Sequence, residues 1–137
     1  MNIQTRGERN NNPGNIERNS TMWQGMSDAQ PDSRFVKFDE PAYGIRALAK
    51  IMLTYYHKYG YVTVQQIIDR WAPPEENDTS AYVAHVADVL GVEPDKPFNV
   101  DSPANLELLV KAIIAHENGR IAYDDKTIQD GIDMALA

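Results

Sequence analysis

The sequence predicts a mostly α-helical (α+β) domain of about five helices, preceded by a small β-hairpin region. Three observations predict it. Residues 1–40 are rich in Asn, Gly, Pro and Arg and carry no helical stripe. From Pro41 onward, apolar residues recur at the three- and four-residue spacing of a helix face. Four of these apolar runs are closed by Gly60, Pro73, Gly91 and Gly119, residues that end helices.

In the first forty residues, Asn11-Asn12-Pro13-Gly14 is strong turn chemistry. Arg34-Phe35-Val36-Lys37-Phe38 reads as a short strand. A hairpin or irregular sheet is therefore expected over about 15–38. Pro41 suits the first turn of a helix. Ile45, Leu48, Ala49, Met52, Leu53 and Tyr56 then form its stripe, with Gly60 as the stop. Thr63-Val64-Gln65-Gln66 is a capping box opening a short helix with Ile67, Ile68 and Trp71, ended by Pro73 and Pro74. Asp78 or Thr79 caps a third helix with the stripe Tyr82, Val83, Val86 and Leu90. Ser102-Pro103 opens a fourth, and Thr127 to about Leu136 is the last. Residues 41–137 are thus the helical part of one domain spanning 1–137.

Composition narrows the function. The 137 residues are 42% hydrophobic and 24% charged, an ordinary globular mix. With no cysteine, disulfides, thiol nucleophiles and Cys-ligated zinc are excluded. The net charge of −7 argues against a nucleic-acid partner. No apolar run approaches the roughly 18–20 residues of a membrane span, so stable membrane insertion is not expected. Met1 to Asn12 is polar and lacks an apolar signal core. The histidines His57, His85 and His116 lack metal-ligand spacing, and His116-Glu117 is not followed by the pattern of zinc proteases. There is no nucleophile elbow and no phosphate-cradling glycine loop. No metal or organic cofactor is expected.

The chemistry concentrates at Lys111-Ala112-Ile113-Ile114-Ala115-His116-Glu117-Asn118-Gly119. Leu106, Val110, Ile113 and Glu117 fall on one side of a helix, widened by Leu109 and Ile114. Glu117 closes this apolar face one turn before Gly119 stops the helix. A carboxylate there works against the helix dipole, and burial would raise its pKa. A proton-donating carboxyl group in a half-apolar cleft is what glycoside hydrolysis requires.

Two segments carry a resemblance. One is Arg6-Gly7-x-Arg9-Asn10-Asn11-Asn12-Pro13-Gly14-Asn15-Ile16, followed by Trp23-x-Gly25, Phe35-x-x-Phe38 and Tyr43-Gly44-Ile45-Arg46-Ala47. The other is Trp71-Ala72-Pro73-Pro74-x-x-Asn77-x-Thr79-x-x-Tyr82. Together they resemble a family of small phage and prophage proteins described as virion structural proteins or endolysin-like muramidases. In addition, Ala112 to Gly119 looks like the helix end of lytic transglycosylases and goose-type lysozymes, whose catalytic acid is that Glu. Asn11 to Ile16 is similar to a segment of bacterial glucosaminidase domains. In those domains the glutamate helix precedes that segment, whereas here it follows by about a hundred residues. The order is that of a circularly permuted lysozyme-like fold, which requires neighbouring termini.

The resemblance implies a monomeric hydrolase acting on peptidoglycan glycan strands, with other virion proteins as further partners. It would be made in the bacterial cytoplasm without a signal peptide and act on the cell wall after release, or be carried in the virion. Glu117 would be the catalytic acid. Asn10, Asn11, Asn12 and Asn15 can bond sugar hydroxyls and N-acetyl groups, or cap their own turns. Arg6 and Arg9 can pair with internal carboxylates or meet carboxylates of the substrate, pairing being the commoner role. Trp23, Tyr43, Trp71, Tyr82 and Tyr123 can stack on sugar rings, or pack in the core, the role favoured for Tyr82 and, more narrowly, for Trp71. Asn77 and Thr79 can line a groove or cap a helix. For a second carboxylate the choices are Glu8, Glu17, Asp32 and Glu40, while a lytic transglycosylase needs none. The rival to an enzyme is a non-catalytic virion structural or peptidoglycan-binding protein with the same fold. A third reading, an effector delivered between bacteria, shares the chemistry. An open groove joining Glu117, Asn15 and Tyr43 would favour the enzyme, and a closed, paired Glu117 its rival.

Overall fold

The computed structural model describes residues 3–75 and 77–137. Among them are six helices: α1 (Arg6–Arg9), α2 (Pro41–Tyr59), α3 (Val64–Trp71), α4 (Thr79–Leu90), α5 (Pro103–Asn118) and α6 (Asp125–Leu136). Four of the five longer ones start and stop where the sequence signals them, and α6 starts at Asp125 rather than Thr127 because Asp124 caps it. Pro41 stands in the first turn of α2, and Gly60 ends it in the left-handed conformation. The Thr63–Gln66 box opens α3 as expected. Asp78, Ser102 and Asp124 each accept a hydrogen bond from a first-turn N–H of α4, α5 and α6.

Helix α6 lies along α2. α5 packs on α4, α6 and α2, and α3 closes on α4. Ile45, Leu48 and Met52 of α2 meet Leu106, Leu109, Ile113 and Ile114 of α5 and Ile128 of α6 in one fully buried core. Each such side chain contributes about 1.5–3 kcal/mol of transfer free energy. Ile16, Val36 and Phe38 extend the core into the N-terminal forty residues.

The expected hairpin over 15–38 is not formed. Among the described residues the only strand-like pairings are two isolated antiparallel bridges, Glu17 with Phe35 and Met26 with Phe38. The physical reason is that side-chain amides occupy the places of a strand. Asn12 is fully buried. Its Nδ2 donates to the carbonyls of Ile16 (3.0 Å) and Val36 (2.8 Å), and its Oδ1 accepts the Ile16 N–H (3.0 Å). Gln30 does the same at the other end, accepting the Lys37 N–H and donating to the carbonyls of Ser27 and Lys37, each at 2.8 Å. The Phe38 N–H goes to the Asn10 carbonyl at 2.9 Å. Direct backbone pairing across this region is reduced to separate bonds such as Arg18 N–H to the Arg34 carbonyl, Val36 N–H to the Ile16 carbonyl and Ser27 N–H to the Lys37 carbonyl, which do not join into a ladder.

Helix α1 lies where no element is expected, and it is held by a capping box between Thr5 and Glu8. Beyond it, Asn11 and Asn15 take the left-handed conformation (φ 52° and 51°), which Asn tolerates better than most residues. The loop presses so closely on α2 that a Cβ at Gly44 would stand 2.0 Å from the Asn11 carbonyl oxygen. Asp32 anchors its far side. It accepts from Arg6 at 2.6 and 2.7 Å, from Asn10 at 3.0 Å, and from the Arg34 and Phe35 N–H groups at 2.9 Å. The Arg6 guanidinium foremost, with these N–H donors, holds the Asp32 carboxyl far below the usual carboxylate range.

Glu8 and Arg120 tie α1 to the chain beyond α5. Glu8 is buried, and Arg120 donates to it at 2.6 and 3.0 Å, a two-pronged pair. The Arg120 side chain is the main cause that holds the Glu8 pKa below its ordinary 4.5. A carboxyl depressed in the folded state adds stability that is fully present above the unfolded value. That stability is lost as pH falls through the lower folded value. The melting temperature is therefore expected to decline as pH falls below about 4.5, the ordinary glutamate value. Arg120→Ala should flatten that part of the profile and lower the melting temperature at pH 7, read by thermal unfolding across pH 3–7.

Candidate functional site

The C-terminus of α5 is seated on the N-terminal loop. Asn118 donates its amide to the Pro13 carbonyl (2.7 Å) and accepts from the Thr5 hydroxyl (2.7 Å). Glu117 is carried to the edge of a groove of about 570 Å³ between that loop and the α2–α3 face. Gly14, Asn15, Ile16, Glu17, Asn19 and Thr21 form one wall with Trp23, Arg34 and Phe35. Ile51, Thr54, Tyr55 and Tyr59 of α2, Arg70 and Trp71 of α3, and Ala72 and Asn77 form the other.

Glu117 is half-buried, and one oxygen is fastened: the Tyr82 hydroxyl donates to Oε2 at 2.8 Å. The Trp71 indole N–H donates in turn to the Tyr82 oxygen at 3.1 Å. Burial foremost, then the charge of Glu117, pushes the Tyr82 phenol far above its ordinary pKa of 10.0, so it stays a donor. The His116 ring stacks on Tyr82 with centroids 3.7 Å apart. Burial and the neighbouring His85, 3.3 Å away between Nδ1 atoms, lower the His116 pKa. Among the described residues Glu117 has no cationic partner, and its Oε1 makes no hydrogen bond. The arrangement fixes one carboxylate oxygen from behind, on the edge of the groove. Tyr82→Phe removes the donor and leaves the Trp71 N–H without its acceptor. It is expected to cost about 1–2 kcal/mol, measured by denaturant unfolding.

Of the site residues read from sequence, Glu117, Asn15, Trp23, Trp71 and Asn77 line this groove. Asn15 does so with its Oδ1 turned inward, 3.0 Å from where a Cβ on Gly7 would stand. The Trp23 indole nitrogen is buried and has no partner among the described residues. Asn77 also donates to the Pro73 carbonyl at 3.3 Å. Thr79 is buried and bonds the Ala72 carbonyl, and Tyr82 is core, as favoured.

Asn10, Asn11, Asn12, Tyr43 and Tyr123 do not line it. The three asparagines spend their amides on Asp32, on the Phe38 carbonyl, and on Ile16 and Val36. Tyr43 packs on Gly25, where a Cβ would stand 2.1 Å from the ring, and it borders a separate depression with Glu40 and Asp130. Tyr123 lies beside Glu8 and Arg120, its phenol pushed up to about 12 by burial first and then by the Glu8 charge. Among the acids weighed as a second carboxylate, Glu17 alone lines the groove, paired with Arg34 at 2.7 and 2.9 Å. Glu8 and Asp32 are committed to arginines, and Glu40 borders the Tyr43 depression.

The groove also contains residues the sequence reading passed over: Tyr55, Tyr59 and Arg70. The signal was present in Tyr55-Tyr56-His57-Lys58-Tyr59-Gly60-Tyr61, a density of tyrosine beyond what a helix end needs.

Among the described residues no helix is long and apolar enough to cross a membrane. No protein-family model matches the sequence. Protein P5 of Pseudoalteromonas phage PM2 is 39% identical over 140 aligned residues, spanning 99% of this chain and 85% of the relative. At that identity and coverage, the chain belongs to the family of this phage protein.

Proposed function

We propose that the groove holds a peptidoglycan glycan strand and that Glu117 is the general acid for cleavage of the β-1,4 bond between N-acetylmuramic acid and N-acetylglucosamine. The observation that supports this most is the placement of Glu117 on a groove shared with Asn15, Trp23 and Trp71. The aromatic side chains offer apolar faces to pyranose C–H groups. The Glu117 carboxyl gives its proton to the bridging oxygen, the bond from that oxygen to the muramic anomeric carbon breaks, and the sugar ring takes the positive charge. Water then attacks that carbon in a muramidase, or the sugar's own 6-hydroxyl does in a lytic transglycosylase. Glu17 is the groove carboxylate available to direct a water. We read the helical scaffold as lysozyme-like and permuted, because the end of α5 meets the N-terminal asparagine loop despite about a hundred residues between them.

A second reading is a non-catalytic virion structural or peptidoglycan-binding protein. The phage relative favours it, since its name carries no activity, and so does the bond that Tyr82 makes to Glu117. Both readings fit delivery by the phage, in the particle or after lysis. Digestion of purified peptidoglycan, with the soluble products read by mass spectrometry, separates them. Reducing muramic ends identify a muramidase and anhydromuramic ends a lytic transglycosylase. A folded protein that releases nothing is the structural protein.

A further inference from the structure

Behind Glu117 lies a pair of titratable groups that cleavage does not use. His85, midway along α4, and His116, in the last turn of α5, bring their Nδ1 atoms to 3.3 Å. Their ring centres are 5.5 Å apart, close to the nitrogen gap plus one ring radius at each end, so the nitrogens meet head to head. Among the described residues neither ring makes another hydrogen bond. A neutral pair shares one proton, one ring donating and the other accepting. The next proton goes to an outer nitrogen of the donating ring and leaves that bond in place. The one after it finds a lone pair only inside the contact, where it sets N–H against N–H and charge against charge.

The groups around His116 pull in both directions. Burial first, then the charge of His85, opposes its proton, while the charges of Glu117 and Asp78 favour it. The balance lowers its pKa from the ordinary 6.5. The pair is also coupled to the groove. The His116 ring stacks on Tyr82 at 3.7 Å, the Tyr82 hydroxyl donates to Glu117 at 2.8 Å, and the Trp71 indole N–H donates to the Tyr82 oxygen at 3.1 Å. Asn118 is fastened to Pro13 and Thr5, so the end of α5 cannot follow a displaced His116 ring. What yields is the stack on Tyr82.

We propose that the His85–His116 pair is a proton-operated catch on the Tyr82–Glu117 contact, closed while the two rings share an N–H···N bond and open when both rings are charged. A histidine whose charged form the fold disfavours adds stability that is fully present above its ordinary value and is lost as pH falls past it. The catch therefore opens on the acid side of 6.5. It works whatever occupies the groove, so it stands or falls separately from the glycan reading.

The test follows the histidine ring signals and the Trp71 indole N–H signal by NMR from about pH 8 to about pH 5. The pair should take up its protons in two separated steps. The Trp71 signal should move with the second step, at a midpoint below 6.5, while the indole of Trp23, the other tryptophan, stays still. His116→Phe keeps a ring on Tyr82 and takes no proton, and His85→Gln removes the opposing charge. Either variant should abolish the Trp71 step. In Glu117→Gln the step should persist and move to lower pH, because a charge that favours the His116 proton is gone. A Trp71 signal that stays still while both histidines charge overturns the catch. So does a step that survives both histidine variants, or one that vanishes in Glu117→Gln and so belongs to the carboxylate itself.

Discussion

Glu117→Gln is expected to slow release of soluble fragments from purified peptidoglycan by about 10²–10⁴-fold, the contribution of a positioned general acid. The glutamine is nearly the same size, and its amide oxygen can still accept the Tyr82 hydroxyl now bonded to Oε2 at 2.8 Å. Thermal stability should therefore change by only about 0.5 kcal/mol, the scale of a substitution that opens no cavity and strands no buried group. A large loss of rate with an unchanged melting temperature assigns the proton to Glu117. Equal rates in both proteins would remove Glu117 as the acid, together with the permuted-lysozyme reading built on it. The effect should fall on kcat rather than KM, because the proton is transferred in the transition state and is not part of how the strand docks.

The second large effect is expected far from that chemistry. Asn12→Leu keeps the volume of a side chain that is fully buried and removes three hydrogen bonds, to Ile16 N–H and to the Ile16 and Val36 carbonyls. Each stranded group costs about 1–3 kcal/mol. With partial relaxation the total should reach about 3–5 kcal/mol, a drop in melting temperature on the order of 10–15 °C. That is a large share of the 5–15 kcal/mol that typically holds a domain folded. A drop under roughly 3 °C would show that the loop has other means of closing. The Asn12 result separates a structural asparagine from a sugar-binding one, since a ligand contact would move affinity and leave melting alone.

These two residues mark how far the sequence could be read. The helices were legible because their signals are local: Pro41 and Gly60 bracket α2, Thr63 and Gln66 announce α3, and stripes such as Ile45, Leu48 and Met52 are the side chains that are buried. The carboxylate at the end of α5 was legible for the same reason. The N-terminal forty residues were not, because their order comes from contacts with no local period. Asn12 reaches Val36 and Asn10 reaches Asp32, pairings more than twenty residues apart that no window of sequence displays. Helix α1 was readable in principle, since Thr5-Arg6-Gly7-Glu8 has the spacing of a capping box. Its brevity and polarity hid it. Tyr43 looked like a groove aromatic and is a packing residue, a difference decided by Gly25 standing across from it.

The bonds from Asn118 to Pro13 and from Arg120 to Glu8 span 105 and 112 residues of chain. A polypeptide synthesised from its N-terminus has made the asparagine loop long before α5 exists. That loop has to wait, with its partners for Thr5, Glu8 and Pro13 still missing. Closing so long a loop is slow compared with forming the local helices. The groove is therefore among the last parts of the molecule to assemble. A nascent or truncated chain lacking α5 has no Glu117 and only one wall of the groove properly supported. Synthesis of α5 and creation of the site become the same event.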